Sequence, residues 1–366
     1  MLKDRKFLIL VGLIIFFPLL TLILTASLQG CENRGSNYQV YEKNMIRAAE
    51  KYFKKNKILL KSEGKTARVS LNTLVSNNYI KSSENALKDS TCKGSVVARM
   101  NGISQEKNKD GFVNYLAFLE CKKYKTQTLG ELLKESITET KSGLYKFDDE
   151  YIFKGDDVKN YITFFDKNYR IMGITSNGLV KLIKTESEPI TRMWDNKYNI
   201  EVKQSFGKTI YSDSMILKYL TNDYFTEKKI SSEARKHLVA NNTCIGRRSK
   251  KDFSISRQLD CQDIIENQFI TLMNVSDYAL ASIDPDCNSV VSRSCNNYNY
   301  LKNVASSSWT PNSVTENSYE ALNISGGTIV AQNASQYNYY SIVIFIDMNE
   351  KVSSGEGTVE NPYIIK

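Results

Sequence analysis

"CKGSVVARMNGISQEKNKDGFVNYLAFLEC", residues 92–121, sets two apolar runs between two cysteines, and the reading of that pattern decides the fold. Ser95–Met100 and Phe112–Leu119 read as strands, and Asn101–Asp110 is a polar loop between them. The midpoint of the stretch falls between Glu106 and Lys107, inside that loop. An antiparallel hairpin folded there brings Cys92 opposite Cys121, and cross-strand neighbours stand about 5 Å apart, within disulfide reach. The expectation is an antiparallel, mixed α+β fold fixed by a covalent cross-link, which requires an oxidising compartment.

The amino end bears on that requirement. Met1–Lys6 is basic and the chain then runs apolar from Phe7 to Leu24, the layout of a secretory signal or a signal anchor. Counted to Leu28, the segment is roughly 33 Å long as a helix, enough to cross a bilayer core, and Pro18 is tolerable there. Lys3, Arg5 and Lys6 hold the amino end inside, so the chain from Cys31 onward faces outward. In "TASLQGCENRG", residues 25–35, Leu28-Gln29-Gly30-Cys31 resembles the lipobox of bacterial lipoproteins, which implies lipidation at Cys31. An uncleaved single-pass anchor and a released protein are the alternatives. Seven cysteines in an exported chain leave one special thiol. With Cys31 set aside, local spacing pairs Cys92 with Cys121, Cys244 with Cys261 and Cys287 with Cys295. Zinc is disfavoured: no C-x-x-C occurs, and the single histidine, His237, lies far from any close cysteine pair.

Working outward from the hairpin, Tyr38, Tyr41, Met45, Ala48, Ala49, Tyr52 and Phe53 recur at three- and four-residue spacing and predict an amphipathic helix over about 38–56. Its other face, with Lys51, Lys54 and Lys55, reads as solvated, with contact to a membrane surface as the alternative. A strand is expected over Lys65–Leu71, followed by a brief helix capped by Ser70. Residues 31–124 thus make a small α+β domain, 125–147 a linker with one helical turn or two, and 148–366 a second, larger α+β domain. In the latter, Tyr161–Phe165, Tyr169–Ile174 and Leu179–Ile183 predict strands, Asn177-Gly178 a type I′ turn, and Ser212-Asp213-Ser214 and Ser231 or Ser232 helix starts. Beyond 244 the chain is loop-rich, with closing strands expected at Thr328–Val330 and Tyr340–Ile346.

Two resemblances accompany this reading. "IRAAEKYFKKNK", "ARVSLNTLVSNNYI" and the cysteine hairpin, within residues 38–124, resemble the pilin-like ectodomains of Gram-positive surface proteins. The prepilin glycine and glutamate are absent. "YRIMGITSNGLVKLI", Trp194, "SDSMILKYLTNDYF", "SSWTPNS" and "NEKVSSGEGTVENPYIIK", across 150–366, resemble an uncharacterised extracellular domain of low-GC Gram-positive bacteria, itself similar to the C-type-lectin-like fold shared with sulfatase-modifying factors. The resemblances imply a lectin-like head on a pilin-like stalk, held at the cell membrane.

The catalytic inventory is thin. His237 sits in a helical context, and G-x-S-x-G, P-loop and H-E-x-x-H patterns are absent. Asp284-Pro285-Asp286-Cys287-Asn288 begins like a calcium loop, but Ser289 stands where glycine is required and Cys295 where the bidentate glutamate belongs. No metal or cofactor is expected. Asp148, Asp149, Glu150, Asp156 and Asp157 cluster in sequence, and paired carboxylates can cleave glycosides; a solvated loop is the simpler reading. Binding surfaces are easier to place. Arg247, Arg248, Lys250 and Lys251 fall inside the Cys244–Cys261 loop of a chain whose net charge is +9, a display suited to anionic envelope polymers rather than nucleic acid. Trp194, Trp309, Tyr298 and Tyr300 are candidates for stacking on sugars, with core burial the competing reading for the tryptophans. The expectation is a membrane-anchored, non-catalytic protein that binds an envelope polymer or another surface protein, or serves as scaffold. A glycan-acting enzyme and a minor pseudopilin are the alternatives.

Overall fold

A helix over residues 37–55, α1, turns Tyr38, Tyr41, Met45, Ala48, Ala49 and Phe53 inward, the apolar stripe that the sequence spacing predicts. The computed structural model describes residues 37–58, 60, 65–101, 112–196, 209–226, 228–305 and 307–366. The leader, Cys31 and its lipobox lie outside the described residues. Among those described, no helix is long and apolar enough to cross a membrane.

The chain divides into two compact units. Of the described residues, the first holds those of 37–60 with Thr66–Arg99 and Tyr115–Thr126, and the second chiefly those of Gln127–Lys366. In the first unit α1 accompanies a four-stranded sheet of β1 (Thr66–Ser70), β2 (Lys93–Asn101), β3 (Phe112–Cys121) and β4 (Tyr124–Lys125), in that order. Two short helices follow β1: α2 (Leu71–Ser76), capped by Ser70 accepting from Thr73 N–H, and α3 (Ser83–Leu87), capped by Ser82. Cys92 and Cys121 are disulfide-bonded with Cα atoms 4.1 Å apart. Gly94 permits the close approach of helix and sheet, since a Cβ there would stand 2.6 Å from Phe118 O and 3.0 Å from Met45 Cε. Glu42, a carboxylate on the buried face of α1, accepts from Tyr124 OH at 3.0 Å and from Thr126 Oγ1, and Tyr38 stacks on Tyr124 with ring centroids 4.8 Å apart.

The second unit begins before the boundary that composition suggests. Residues 125–147 do not form a linker. They hold α4 (Leu129–Lys134), with a Thr128–Glu131 capping box, and β5 (Gly143–Phe147), and Leu129, Leu133 and Leu144 are wholly buried in the second unit's core. β5 pairs with β6 (Glu150–Lys154) through a tight turn at Asp148–Asp149. β7 (Tyr161–Phe164), β8 (Lys167–Ile174) and β9 (Leu179–Lys184) follow as antiparallel neighbours. β8 is flanked on both sides, and its residues from Tyr169 to Ile174 are all buried. The β8–β9 turn is not type I′. That turn needs two residues of positive φ, and here only Gly178 has it, at 77°, with Gly178 N–H bonded to Thr175 O.

The remaining elements wrap this sheet's core. β10 (Arg192–Met193) is followed by α5 (Met215–Tyr219), capped by Ser214, and α6 (Ser232–His237), capped by Ser231. β11 (Asn241–Ile245), β12 (Arg247–Arg248), α7 (Arg257–Asp260), β13 (Asp263–Gln268), β14 (Ile270–Thr271) and α8 (Val275–Leu280) come next. β15 (Ser307–Val314), β16 (Glu320–Ser325) and β17 (Thr328–Asn333) form an antiparallel meander joined by β12 in parallel. β18 (Tyr337–Asn338) pairs with β10. β19 (Val343–Asp347) lies between β14 and β9 in the large sheet, and β20 (Tyr363–Ile365) runs parallel to β7. The protein is therefore mixed α+β, with more strand than helix.

Candidate binding cleft

Cys244–Cys261 and Cys287–Cys295 are both formed, with Cα separations of 4.4 and 4.6 Å. The first of these helps to wall a cleft of about 320 Å³ in the second unit. β11 contributes Asn241, Asn242 and Thr243 to it, α7 contributes Arg257 and Gln258, and α8 contributes Ser276 and Asp277. Glu150 at the start of β6, Lys181 of β9 and Asp260 at the end of α7 add further charged groups to the wall.

The charges in this cleft alternate and neutralise one another. Lys181 Nζ lies 2.5 Å from Asp277 Oδ2, Arg257 Nη2 lies 3.4 Å from Asp277 Oδ1, and Arg257 Nη1 binds the Glu150 carboxylate. Asn274 N–H adds a 3.0 Å bond to Asp277 Oδ2. Burial alone would push the Asp277 carboxyl up, but Lys181 and Arg257 beside it outweigh that and hold it below its ordinary value. Asp277 therefore stays ionised at neutral pH as the centre of a two-cation, two-anion chain. Thr243 differs from these groups. It is 3% exposed, lines the cleft, and its Oγ1 has no hydrogen-bond partner, a condition that costs free energy unless a ligand or water supplies one.

Of the basic loop, little is displayed. Arg248 is 2% exposed and holds the loop together from within: Nε donates to Asp260 Oδ1 at 2.6 Å, Nη1 to Ser254 O at 3.1 Å and Nη2 to Ser256 O at 2.8 Å. Its neighbour Arg247 projects the other way from β12 and donates to Val314 O and Asn317 O. Lys250 pairs with Glu320, and Lys251 is exposed. The expected four-charge patch is thus corrected to two surface lysines, one already paired, because alternate residues of β12 face a buried carboxylate and backbone carbonyls.

The aromatic candidates are corrected likewise. Trp194 and Trp309 are both wholly buried and form a reciprocal clasp: Trp194 Nε1 donates to Thr310 O at 2.8 Å, and Trp309 Nε1 to Arg192 O at 2.8 Å. Neither can offer a ring face to a sugar. Tyr300 is 4% exposed, its ring packed 5.0 Å from the Arg170 guanidinium. Tyr298 alone is open, 57% exposed at a φ of 45°.

The acidic cluster separates in space by role. Asp148 and Asp149 occupy the β5–β6 turn and, like Asp156 and Asp157, are exposed; Glu150 reaches the cleft and is tied to Arg257. In the loop that begins like a calcium site, Asp284 accepts from Asp286 N–H and Asn297 Nδ2, and Cys287 is cross-linked to Cys295. Asp89 with Cys92 and Cys121 has metal-ligand proximity, but the two sulfurs are bonded to each other. His237 donates or accepts at Nδ1 with Glu350 Oε2, 2.8 Å away, beside the ring of Phe165. Glu350 is 1% exposed. The pair is built into the core and stands apart from the residues lining the cleft.

Glu150, Lys181, Thr243, Arg257 and Asp277 were not singled out by sequence as a group. They come from five separate elements, and no local pattern links them. No protein family, curated protein or solved structure matches this chain.

Proposed function

We propose that the protein is an exported, membrane-held recognition protein, in which the second unit binds an envelope glycan or a polar segment of a surface partner through the cleft and catalyses no reaction. The observation that carries this is the chemistry of the cleft wall. Its charged groups are all paired, Glu150, Lys181, Arg257 and Asp277 with one another and Asp260 with Arg248 behind the wall, and what remains for a ligand is a set of amides and hydroxyls, among them the unpartnered Thr243 Oγ1. Such a surface selects by hydrogen-bond geometry. A volume of about 320 Å³ is at the small end of ligand sites, room for one or two sugar rings rather than a large cofactor. Three disulfides that close local loops, separated by 29, 17 and 8 residues, support an oxidising location. Together with the leader they favour the outward-facing reading. The pilin-like stalk and lectin-like head are part of the same proposal.

The test is binding of the full chain, in detergent, to neutral and anionic oligosaccharides from isolated wall material, measured by calorimetry. Binding through the cleft persists at high salt, because the charged groups of the wall are already paired within the protein, and weakens about five-fold in Thr243→Val, which keeps the shape and removes one hydrogen bond worth about 1 kcal/mol. Binding confined to anionic polymers and abolished by salt would return the role to surface lysines. Hydrolysis of the oligosaccharide, lost in Glu150→Gln, would make the protein an enzyme instead.

A further inference from the structure

The outward face of α1 carries a feature that neither the hairpin nor the cleft uses. At about 100° per residue, Lys43, Arg47, Lys51 and Lys54 fall within an arc of about 80°, opposite the buried stripe of Tyr38, Tyr41, Met45 and Ala49. All four are exposed. Among the described residues no carboxylate pairs with any of them, and Glu50 sits at the margin of the arc. At the amino-terminal end of the same face is Val40, an apolar side chain 54% exposed. A merely solvated face would ordinarily mix signs; within this arc a single sign runs over some three turns of helix, with Glu50 about 20° outside it.

Where this face lies in the chain identifies its partner. The apolar leader ends at Leu28, and α1 is described from residue 37. Eight intervening residues span at most about 29 Å when fully extended. Whether the chain is held by the leader or by a lipid on Cys31, α1 is kept within that distance of the bilayer, where the local concentration of headgroups is high. We infer that the outer face of α1 is a docking surface for anionic phospholipid headgroups of the bilayer that the leader enters, with Lys43, Arg47, Lys51 and Lys54 on the phosphates and Val40 among the headgroups. This rests on the membrane-held reading above. Each basic residue at such a surface is worth about five-fold in affinity, and the attraction is screened by salt.

The experiment uses the full chain in lipid nanodiscs, one set of phosphatidylcholine and one with about a third phosphatidylglycerol, and follows acetylation of each lysine by mass spectrometry. Lys43, Lys51 and Lys54 are expected to react about five-fold or more slowly in the anionic discs, with the difference abolished near 0.5 M NaCl. Exposed Lys159 and Lys302 of the second unit serve as controls and react equally in both. In the double variant Arg47→Glu, Lys51→Glu, the protection of Lys43 and Lys54 disappears. Equal rates in the two kinds of disc overturn the docking and leave the anchor standing. Protection supplied equally by soluble poly(glycerol phosphate) on neutral discs assigns the face to a wall polymer and overturns the lipid assignment. A chain that enters neither disc removes the anchor and the docking together.

Discussion

Replacing Arg248 by methionine separates a structural arginine from a displayed one. Arg248 and Asp260 are both 2% exposed at the side chain and bonded at 2.6 Å, and the guanidinium also supports two carbonyls, Ser254 O and Ser256 O. Asp260 in turn accepts Ser276 N–H through its other oxygen, which ties α7 to the first turn of α8. Removing one partner of a buried pair leaves the other charge uncompensated, at a cost of about 3–5 kcal/mol. Burial already pushes the Asp260 carboxyl up against the pull of Arg248; without the arginine it rises further, and proton uptake limits the loss. Trp194 and Trp309 are both in the second unit and wholly buried, so tryptophan fluorescence in a urea titration reports this unit directly. The expected result is a loss of about 3–5 kcal/mol in Arg248→Met, with much of it recovered when Asp260→Leu is added, since the paired apolar replacement leaves no stranded charge. A loss below about 1 kcal/mol in the single variant would refute the reasoning and restore Arg248 to the surface.

Three further outcomes are expected. Trp309→Phe removes the bond to Arg192 O and part of a fully buried ring, and lowers stability by about 2–4 kcal/mol without altering oligosaccharide affinity, as a urea titration and calorimetry together will register. His237 is pulled down by burial but pushed up more strongly by Glu350, so its folded pKa lies above the ordinary value; the stabilisation is complete below about pH 6.5 and is lost as pH rises through the raised pKa, and His237→Gln flattens that alkaline decline in denaturation curves. Gly94→Ala forces a Cβ against Phe118 O and Met45 Cε, costs about 1–3 kcal/mol and accelerates amide exchange in α1 while leaving tryptophan fluorescence unchanged.

Local patterns in the sequence predicted local structure well. The apolar stripe of α1, the Ser70 cap, helix starts at 212–214 and 231–232 and the three cysteine pairings are set by spacing within a few turns or one loop, and the structure has them, with Ser214 and Ser231 as the capping residues. What depended on distant partners was illegible. Leu129 and Leu133 sit in a polar stretch that reads as linker, yet Leu129 N–H bonds Glu350 O and Gly130 N–H bonds Met348 O, more than 200 residues away. The basic loop hides its burial for a related reason. Arg248 and Lys250 are two residues apart and chemically alike, and only the approach of Asp260, Ser254 and Ser256 decides that one is buried. Cleft residues from five elements carry no mutual signal, because the sheet brings them together only after it forms.

The parallel pairing of β20 with β7 has a consequence for how the molecule is made. Residues 161–164 gain their partner on that side only after residues 363–365 have been synthesised, roughly 200 residues later and about 10–40 s at ordinary ribosomal speed. Throughout that interval the large sheet stays open along that border, so its last strand closes the fold only when the chain is all but finished.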